Sequence, residues 1–340
     1  MLGILTGLFS ACGLSSNAPV NTDLLEEVGQ ALPGYQITFA SPRKLGNQDI
    51  WIVNADGSGE RNLTGSQDGQ DIYPEWGPKG EFIYYTSNKH GGTLELYWVN
   101  TVGEPNPQQI SLFDRELRSL SVSADNQRIA LGIMSSNVAL GEDLKPYSAD
   151  LYFLRREILD EALAEGRLIT LADLDLVLSE PQEQHIWHEQ PDWGKQAGDA
   201  NPWLAYARTE NYDNDPIMKD EIWLMRADGT ENQLLLSGDS MPRWSADGRL
   251  IATHQFQIVD VSTGTVRKLK IDGLARDAGS ASISPDNQYV LFETDDRNRQ
   301  AGIAKLAFQD DSNISNNPYT MLIDRPAYEP RWSPLPVPTE

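Results

Sequence analysis

Two phrases repeat along this chain, and the repeat constrains its fold more than any single residue does. The first phrase, Asp49-Ile50-Trp51-Ile52-Val53-Asn54-Ala55-Asp56-Gly57, returns as Glu221-Ile222-Trp223-Leu224-Met225-Arg226-Ala227-Asp228-Gly229. The second, Pro-x-Trp, stands at Pro74-Glu75-Trp76, Pro191-Asp192-Trp193, Pro242-Arg243-Trp244 and Pro330-Arg331-Trp332. Two weaker copies fill the gaps, Ser121-Val122-Ser123-Ala124-Asp125 and Ser282-Ile283-Ser284-Pro285-Asp286. Each unit of such a repeat must bury its apolar face against the next, so the repeat length selects the architecture.

Aligned on the Trp position, the copies fall at residues 76, 122, 193, 244, 283 and 332, at intervals of 46, 71, 51, 39 and 49. Four intervals lie near the ~40–50 residues of a four-stranded propeller blade. The interval of 71 equals one blade plus an insertion of roughly 25 residues. Arg155 to Gly166 fits that insertion: helix formers, apolar residues at helical spacing, and a glycine stop.

Within a unit the residues alternate and are β-branched or aromatic. Phe82–Ser87 and Leu94–Val99 read as neighbouring strands. Asp56-Gly57, Asp228-Gly229 and Asp247-Gly248 read as turns, with Gly supplying the positive φ and Asp capping it. Turn chemistry accounts for these aspartates without a metal. Gln36–Ala40 reads as a second strand with no Pro-x-Trp strand before it, and Pro330–Pro334 as a first strand with no blade after it. The expectation is therefore an all-β, six-bladed β-propeller of four-stranded antiparallel blades, closed by the C-terminal strand and carrying one helical insertion.

These phrases resemble the TolB-like beta-propeller repeat, whose unit reads P-x-W-S-P-D-G-K-x-I-A-F, then I-Y-V-M-N-x-D-G, then an arginine-leucine-threonine strand. The best matches are Pro242–Ala252 and Asp49–Thr64, and the resemblance covers about residues 35–334. It implies a propeller scaffold of the bacterial cell envelope, with Tol-type biopolymer transport or envelope integrity as its setting. The family's Tol–Pal members carry an α/β domain before the propeller, which has no counterpart in the segment before Tyr35. Related propellers of prolyl oligopeptidase-like enzymes carry a hydrolase domain, and no G-x-S-x-G nucleophile elbow occurs here.

Cys12 is the single cysteine, so an intrachain disulfide and a multi-cysteine metal site are excluded. It follows the apolar run Leu2–Ala11, which resembles a bacterial lipoprotein signal although no Lys or Arg precedes it. The expected organisation is a signal segment over residues 1–11, a lipidated Cys12 and tether over 12–34, and the propeller over 35–340. The membrane would be met through that lipid anchor alone.

Fifty acidic against twenty-seven basic residues give a formal charge of −23. A nucleic-acid partner needs a basic surface, so none is expected. The excess reads first as a solvated, soluble surface.

Of four histidines, His90, His185, His188 and His254, only His185 and His188 lie close in sequence. Three residues apart, they share a metal on a helix or sharp turn but face opposite ways on a strand. They are weak metal candidates, and no cofactor is expected. Asn211–Pro216 lacks the spacing and glycine of a calcium loop. Trp51, Trp98, Trp187, Trp203 and Trp223 read as core. The variable x of Pro-x-Trp is the better site candidate. Pro and Trp share one strand face and x takes the other, so Glu75, Asp192, Arg243 and Arg331 are expected near the channel mouth. There they either pair with one another or meet a ligand. The expected function is a non-enzymatic, monomeric, lipid-anchored envelope protein binding a protein, peptide or cell-wall ligand. The alternative is a metal-dependent glycan lyase or hydrolase.

Overall fold

A computed structural model describes residues 22–42, 47–65, 69–135, 148–180, 186–195, 198–210, 218–269, 271, 279–294, 300–306, 319–323 and 325–337. Cys12, His185, Pro146-Tyr147 and Asn211–Pro216 lie outside the described residues.

The strands fall into antiparallel groups in chain order. β1 (Gln36–Pro42), β2 (Gln48–Asn54) and β3 (Arg61–Asn62) lead. β4 (Asp71–Trp76), β5 (Phe82–Ser87), β6 (Glu95–Asn100) and β7 (Gln108–Gln109) follow. Next come β8 (Leu117–Val122), β9 (Arg128–Met134), β10 (Ala149–Arg155) and β11 (Asp175–Leu178), then β12 (Ile186–Trp193), β13 (Trp203–Glu210), β14 (Lys219–Arg226) and β15 (Gln233–Ser237). These two groups join through one parallel pair, Ala149 against Trp187. β16 (Arg243–Trp244), β17 (Leu250–Ala252), β18 (Gln257–Asp260) and β19 (Thr265–Lys268) form a further sheet. β20 (Gly279–Ile283), β21 (Tyr289–Glu293), β22 (Ala301–Lys305) and β23 (Tyr319–Ile323) form another. The last strand, β24 (Tyr328–Trp332), pairs with β1, giving the order β24-β1-β2-β3.

The turn residues act as the sequence predicts. Ser245 Oγ donates to Asp247 Oδ1 at 2.6 Å, which also accepts the Arg249 N–H at 3.1 Å. Gly248 supplies φ +69°. In the weaker copies, Asn126 and Asn287 take the glycine's place at φ +59° and +58°. Asparagine tolerates this left-handed region better than most residues. Asp56 and Asp228 cap their turns by accepting the Ser58 and Thr230 N–H groups.

The Trp positions build the core. Trp76, Trp193, Trp244 and Trp332 are buried, as are Val122 and Ile283 in the weaker copies. Trp193 packs with Phe153 of the preceding group and Leu204 of its own. Trp244 likewise bridges Leu224 and Ile251, and Trp332 bridges Leu291 and Phe39. The first strands of the groups contact one another in succession, β4 to β8, β8 to β12, β12 to β16, β16 to β20, β20 to β24, and β24 to β4.

Two expectations need correction. Of the five remaining tryptophans only Trp187 is buried. Trp51, Trp98, Trp203 and Trp223 are half-buried. Three of those faces carry a guanidinium, for example Arg226 at 4.0 Å from the Trp203 ring centre and Arg325 at 4.5 Å from Trp51. A cation on a half-wet indole face is favourable, so these positions need not be dry. Second, the segment 12–34 is not tether throughout. α1 (Thr22–Ala31) buries Leu24 and Val28, with Leu32 following, against Tyr289, Leu291 and Leu322. The helical insertion stands where the sequence places it. It is α2 (Arg156–Glu165), which buries Leu159 and Ala162 and ends at Gly166 with φ +66°. No helix among the described residues is long and apolar enough to cross a membrane.

The C-terminal segment is held by more than β24. Ser333 N–H donates to Gln36 O at 2.7 Å, Gln36 N–H donates to Ser333 Oγ, and Val337 N–H donates to Gly34 O. Removing residues 328–340 should leave Phe39, Leu291 and Val53 facing water and abolish cooperative unfolding. Trp332→Ala alone should cost about 3–5 kcal/mol and lower Tm by roughly 5–10 °C. Trp223→Ala, at a half-buried site, should cost clearly less. Calorimetry of the three variants checks this, and an unchanged Tm on truncation refutes it.

Candidate functional site

The four x residues converge. Glu75, Asp192, Arg243 and Arg331 line one cleft of about 270 Å³, together with Lys195 and Ser282. They stand on β4, β12, β16 and β24, and each points away from its buried Trp neighbour, as the strand period requires. The cleft wall is apolar, with Trp76, Trp244, Ile283, Trp332 and Leu335.

The charges are partly matched. Arg331 Nε lies 3.3 Å from Glu75 Oε2. Lys195 Nζ lies 3.9 Å from Glu75 Oε1 and 4.0 Å from Asp192 Oδ1. Asp192 also does structural service. Its Oδ2 accepts the Trp244 N–H at 2.6 Å, and its Oδ1 accepts from Ser121 Oγ at 3.3 Å. Ser121 Oγ in turn accepts the Trp193 N–H at 3.2 Å. Neighbouring first strands are thus stitched by side chains rather than by a backbone ladder. Burial, and then the nearby Arg331, hold the Arg243 guanidinium down to about 10.

A second tier lies two residues before each x. Tyr73, Gln190, Met241, Ser280 and Glu329 have φ between +52° and +55°. Such values are uncommon outside glycine. The strand pairing shifts register across Ile72/Glu75, Glu189/Asp192 and Gly279/Ser282, the mark of β-bulges that turn a side chain aside. These five side chains line two further cavities, of about 340 and 390 Å³. Arg243 and Arg331 line both the outer cleft and the larger inner cavity, and so form the wall between them.

The second tier is also stitched. Gln190 N–H donates to Ser119 Oγ at 2.8 Å, and Met241 N–H donates to Gln190 Oε1 at 2.9 Å. Glu329 N–H donates to Glu293 Oε2 at 3.1 Å. The Glu329 carboxyl is less well served, and its Oε2 has no hydrogen-bond partner. Burial pushes its pKa up to about 7, reinforced by Glu293 and opposed by Arg331 and Arg243.

His188 is buried on β12 beside Tyr206. Burial, aided by Arg208, holds its pKa down to about 4, so its ring is neutral at pH 7. Neither ring nitrogen has a hydrogen-bond partner, and Glu180 Oε1 lies 4.0 Å from Nε2. Among the described residues no three His, Cys, Asp or Glu side chains gather to hold a metal ion.

Sequence reasoning passed over the bulge tier and Lys195. Both were marked. Four of the five bulge residues precede the proline of a phrase, where the right-handed helical region is disfavoured. Lys195 follows its Trp by two, where the other copies carry Pro78, Ala124, Ala246, Pro285 and Pro334.

No family model matches the chain, and no curated protein matches it significantly. Solved structures do resemble it. TolB from Acinetobacter baumannii matches with a TM-score of 0.61 at 16% identity, over 88% of this chain and 66% of that one. The chain thus spans just under two thirds of that protein's length. A putative TolB from Agrobacterium tumefaciens matches with a TM-score of 0.54 at 16% identity, over 88% and 94% of the two chains. An oligogalacturonate lyase in complex with manganese matches with a TM-score of 0.50 at 12% identity, over 82% and 87%. At such identities the likeness concerns the fold, which is a TolB-like β-propeller fold.

Glu329 sets a pH dependence. Its folded pKa lies above its unfolded value, so its contribution to stability is complete below about pH 4.5 and is lost as pH rises through about 7. Glu329→Gln should remove that slope and make the protein more stable at pH 8, by on the order of 1–3 kcal/mol. Denaturant unfolding at pH 5 and pH 8 measures it. A variant that parallels the native slope contradicts the assignment.

Proposed function

We propose that the chain is a six-bladed propeller ring, closed by β24, that serves as a non-enzymatic binding scaffold of the bacterial cell envelope. The pairing of β24 with β1 and the successive contacts of the first strands support the ring. The cleft would be its channel mouth. There Glu75, Asp192, Arg243 and Arg331 would meet a protein, peptide or cell-wall ligand. One observation carries this reading: four charged residues spread over 257 positions of sequence, Glu75 to Arg331, meet in one apolar-walled cleft. Charged side chains at such a place orient a ligand, while the apolar wall supplies affinity.

The setting follows from two further supports. The TolB-like fold suits an envelope role of the Tol type, and the run before Cys12 suits a lipoprotein signal. Acylated at Cys12, the protein would hang from a membrane by its lipid, with residues 13–21 as tether. The glycan lyase reading rests on the histidine pair, of which the described member is buried and neutral.

Two measurements test the proposal. A photo-reactive residue placed at Leu335, which lines the cleft and is 49% exposed, should crosslink one envelope component in cells. Arg331→Glu should abolish that product. The same residue at Leu176, exposed but on β11, serves as control. Equal products from both positions would end the binding reading. Mass spectrometry of the membrane fraction should find an N-terminal acylated Cys12, and an unmodified Met1 terminus there would end the anchoring.

A further inference from the structure

The outer cleft carries a charge imbalance. Its rim consists of the residues two beyond each Trp position: Pro78, Ala124, Lys195, Ala246, Pro285 and Pro334. Five are proline or alanine, four of them in the tight turn that follows the first strand. The sixth is a lysine, at the start of a longer connection that Gly194 N–H closes on Trp203 O. At the floor, Arg331 is matched by Glu75 at 3.3 Å, and Asp192 by the Trp244 N–H at 2.6 Å. Arg243 feels Asp192, Glu75 and Glu329 only at longer range, and no carboxylate oxygen among the described residues sits on its N–H fork. Its one protein hydrogen bond there runs to the Pro242 carbonyl at 2.8 Å. A guanidinium has five N–H donors in a planar fork. A guanidinium kept at that depth with its fork not hydrogen-bonded to a carboxylate is costly, and the cost falls when one arrives.

We propose that Arg243 and Lys195 hold a carboxylate of a bound polypeptide, with the Arg331–Glu75 pair as the fixed floor beside it. This rests on the reading of the cleft as a peptide site. A carboxylate matches the planar fork of Arg243. Glu75 and Asp192 in the same cleft disfavour a dianionic phosphate more than a single negative charge. Pro285, Pro334 and the half-exposed Leu335, which line the cleft, suit apolar residues beside the acid. In a chain of net charge −23, a local surplus of cations also guides an acidic ligand to this place.

A chain terminus and an acidic side chain both supply such a carboxylate, and one experiment separates them. Fluorescence anisotropy on the full chain would use three labelled apolar heptapeptides: one with a free C-terminus, one amidated with a central aspartate, one amidated with asparagine there. At least one carboxylate peptide should bind roughly ten-fold or more tighter than the asparagine peptide. The tighter of the two names the source. Arg243→Met should erase that margin, and Arg243→Lys should keep part of it. Lys195→Met, at the rim, should narrow it and serves alone if Arg243→Met does not fold. Equal affinity for all three peptides, or a margin that survives these variants, overturns the proposal.

Succinate probes the subsite without a peptide. It should raise Tm above that in sodium chloride of equal ionic strength, by mass action, and fail to do so in Arg243→Met. Parity with chloride overturns the subsite. Protection by succinate with no peptide binding more tightly than succinate keeps the subsite and removes the peptide reading.

Discussion

Where the first strands of neighbouring sheets meet, no backbone ladder joins most of them, and side chains take its place. Ser121 accepts the Trp193 N–H, Asp192 accepts the Trp244 N–H, and Gln190 accepts the Met241 N–H. Buried backbone donors must find acceptors, and each acceptor here belongs to the preceding strand. The sheets are thereby fixed edge to edge at the positions where the cavities open. The buried Trp on the opposite strand face wedges the same joint from outside, as Trp193 does between Phe153 and Leu204. Polar stitching within and indole packing without set the geometry of the cleft.

This gives the x position two tasks. Asp192 spends one oxygen on the Trp244 N–H while its other lies 4.0 Å from Lys195. Glu75 pairs with Arg331, and Arg331's own carbonyl accepts the Trp76 indole N–H at 3.1 Å. Arg243 joins none of these stitches. Mutual pairing therefore explains three of the four x residues, and on the proposed reading ligand contact accounts for the fourth. The bulges add the second tier by turning Tyr73, Gln190, Met241, Ser280 and Glu329 into the inner cavities.

Much of this was legible in the sequence, for a physical reason. Turn chemistry and strand period act locally, so Asp247-Gly248 and Pro-x-Trp read the same way in every copy. The insertion announced itself by stretching one interval, and α2 ends at the glycine that marked it. What escaped had its cause elsewhere in the chain. α1 showed the spacing of Leu24, Val28 and Leu32, but the face it needs comes from Tyr289, Leu291 and Leu322, far away in sequence. The half-buried Trp203 and Trp223 satisfied the strand pattern, which cannot say that an arginine lies on one face. The pairing of Arg331 with Glu75 spans nearly the whole described chain, and no spacing rule reaches that far.

A repeat hides function in the positions that it does not need to keep. Wherever all copies share a residue type, the shared turn or joint explains it. At the rim, five copies carry proline or alanine where this one carries Lys195, at the start of a longer connection and 3.9 Å from Glu75. At the floor, stitching is met by serine or aspartate in Ser121 and Asp192, so a guanidinium at Arg243 answers to something other than stitching. The two departures fall in consecutive sheets and open onto the same cleft. They share one charge sign, and the scaffold gains little from burying a guanidinium whose fork no carboxylate hydrogen-bonds. On the proposed reading the asymmetry belongs to the ligand.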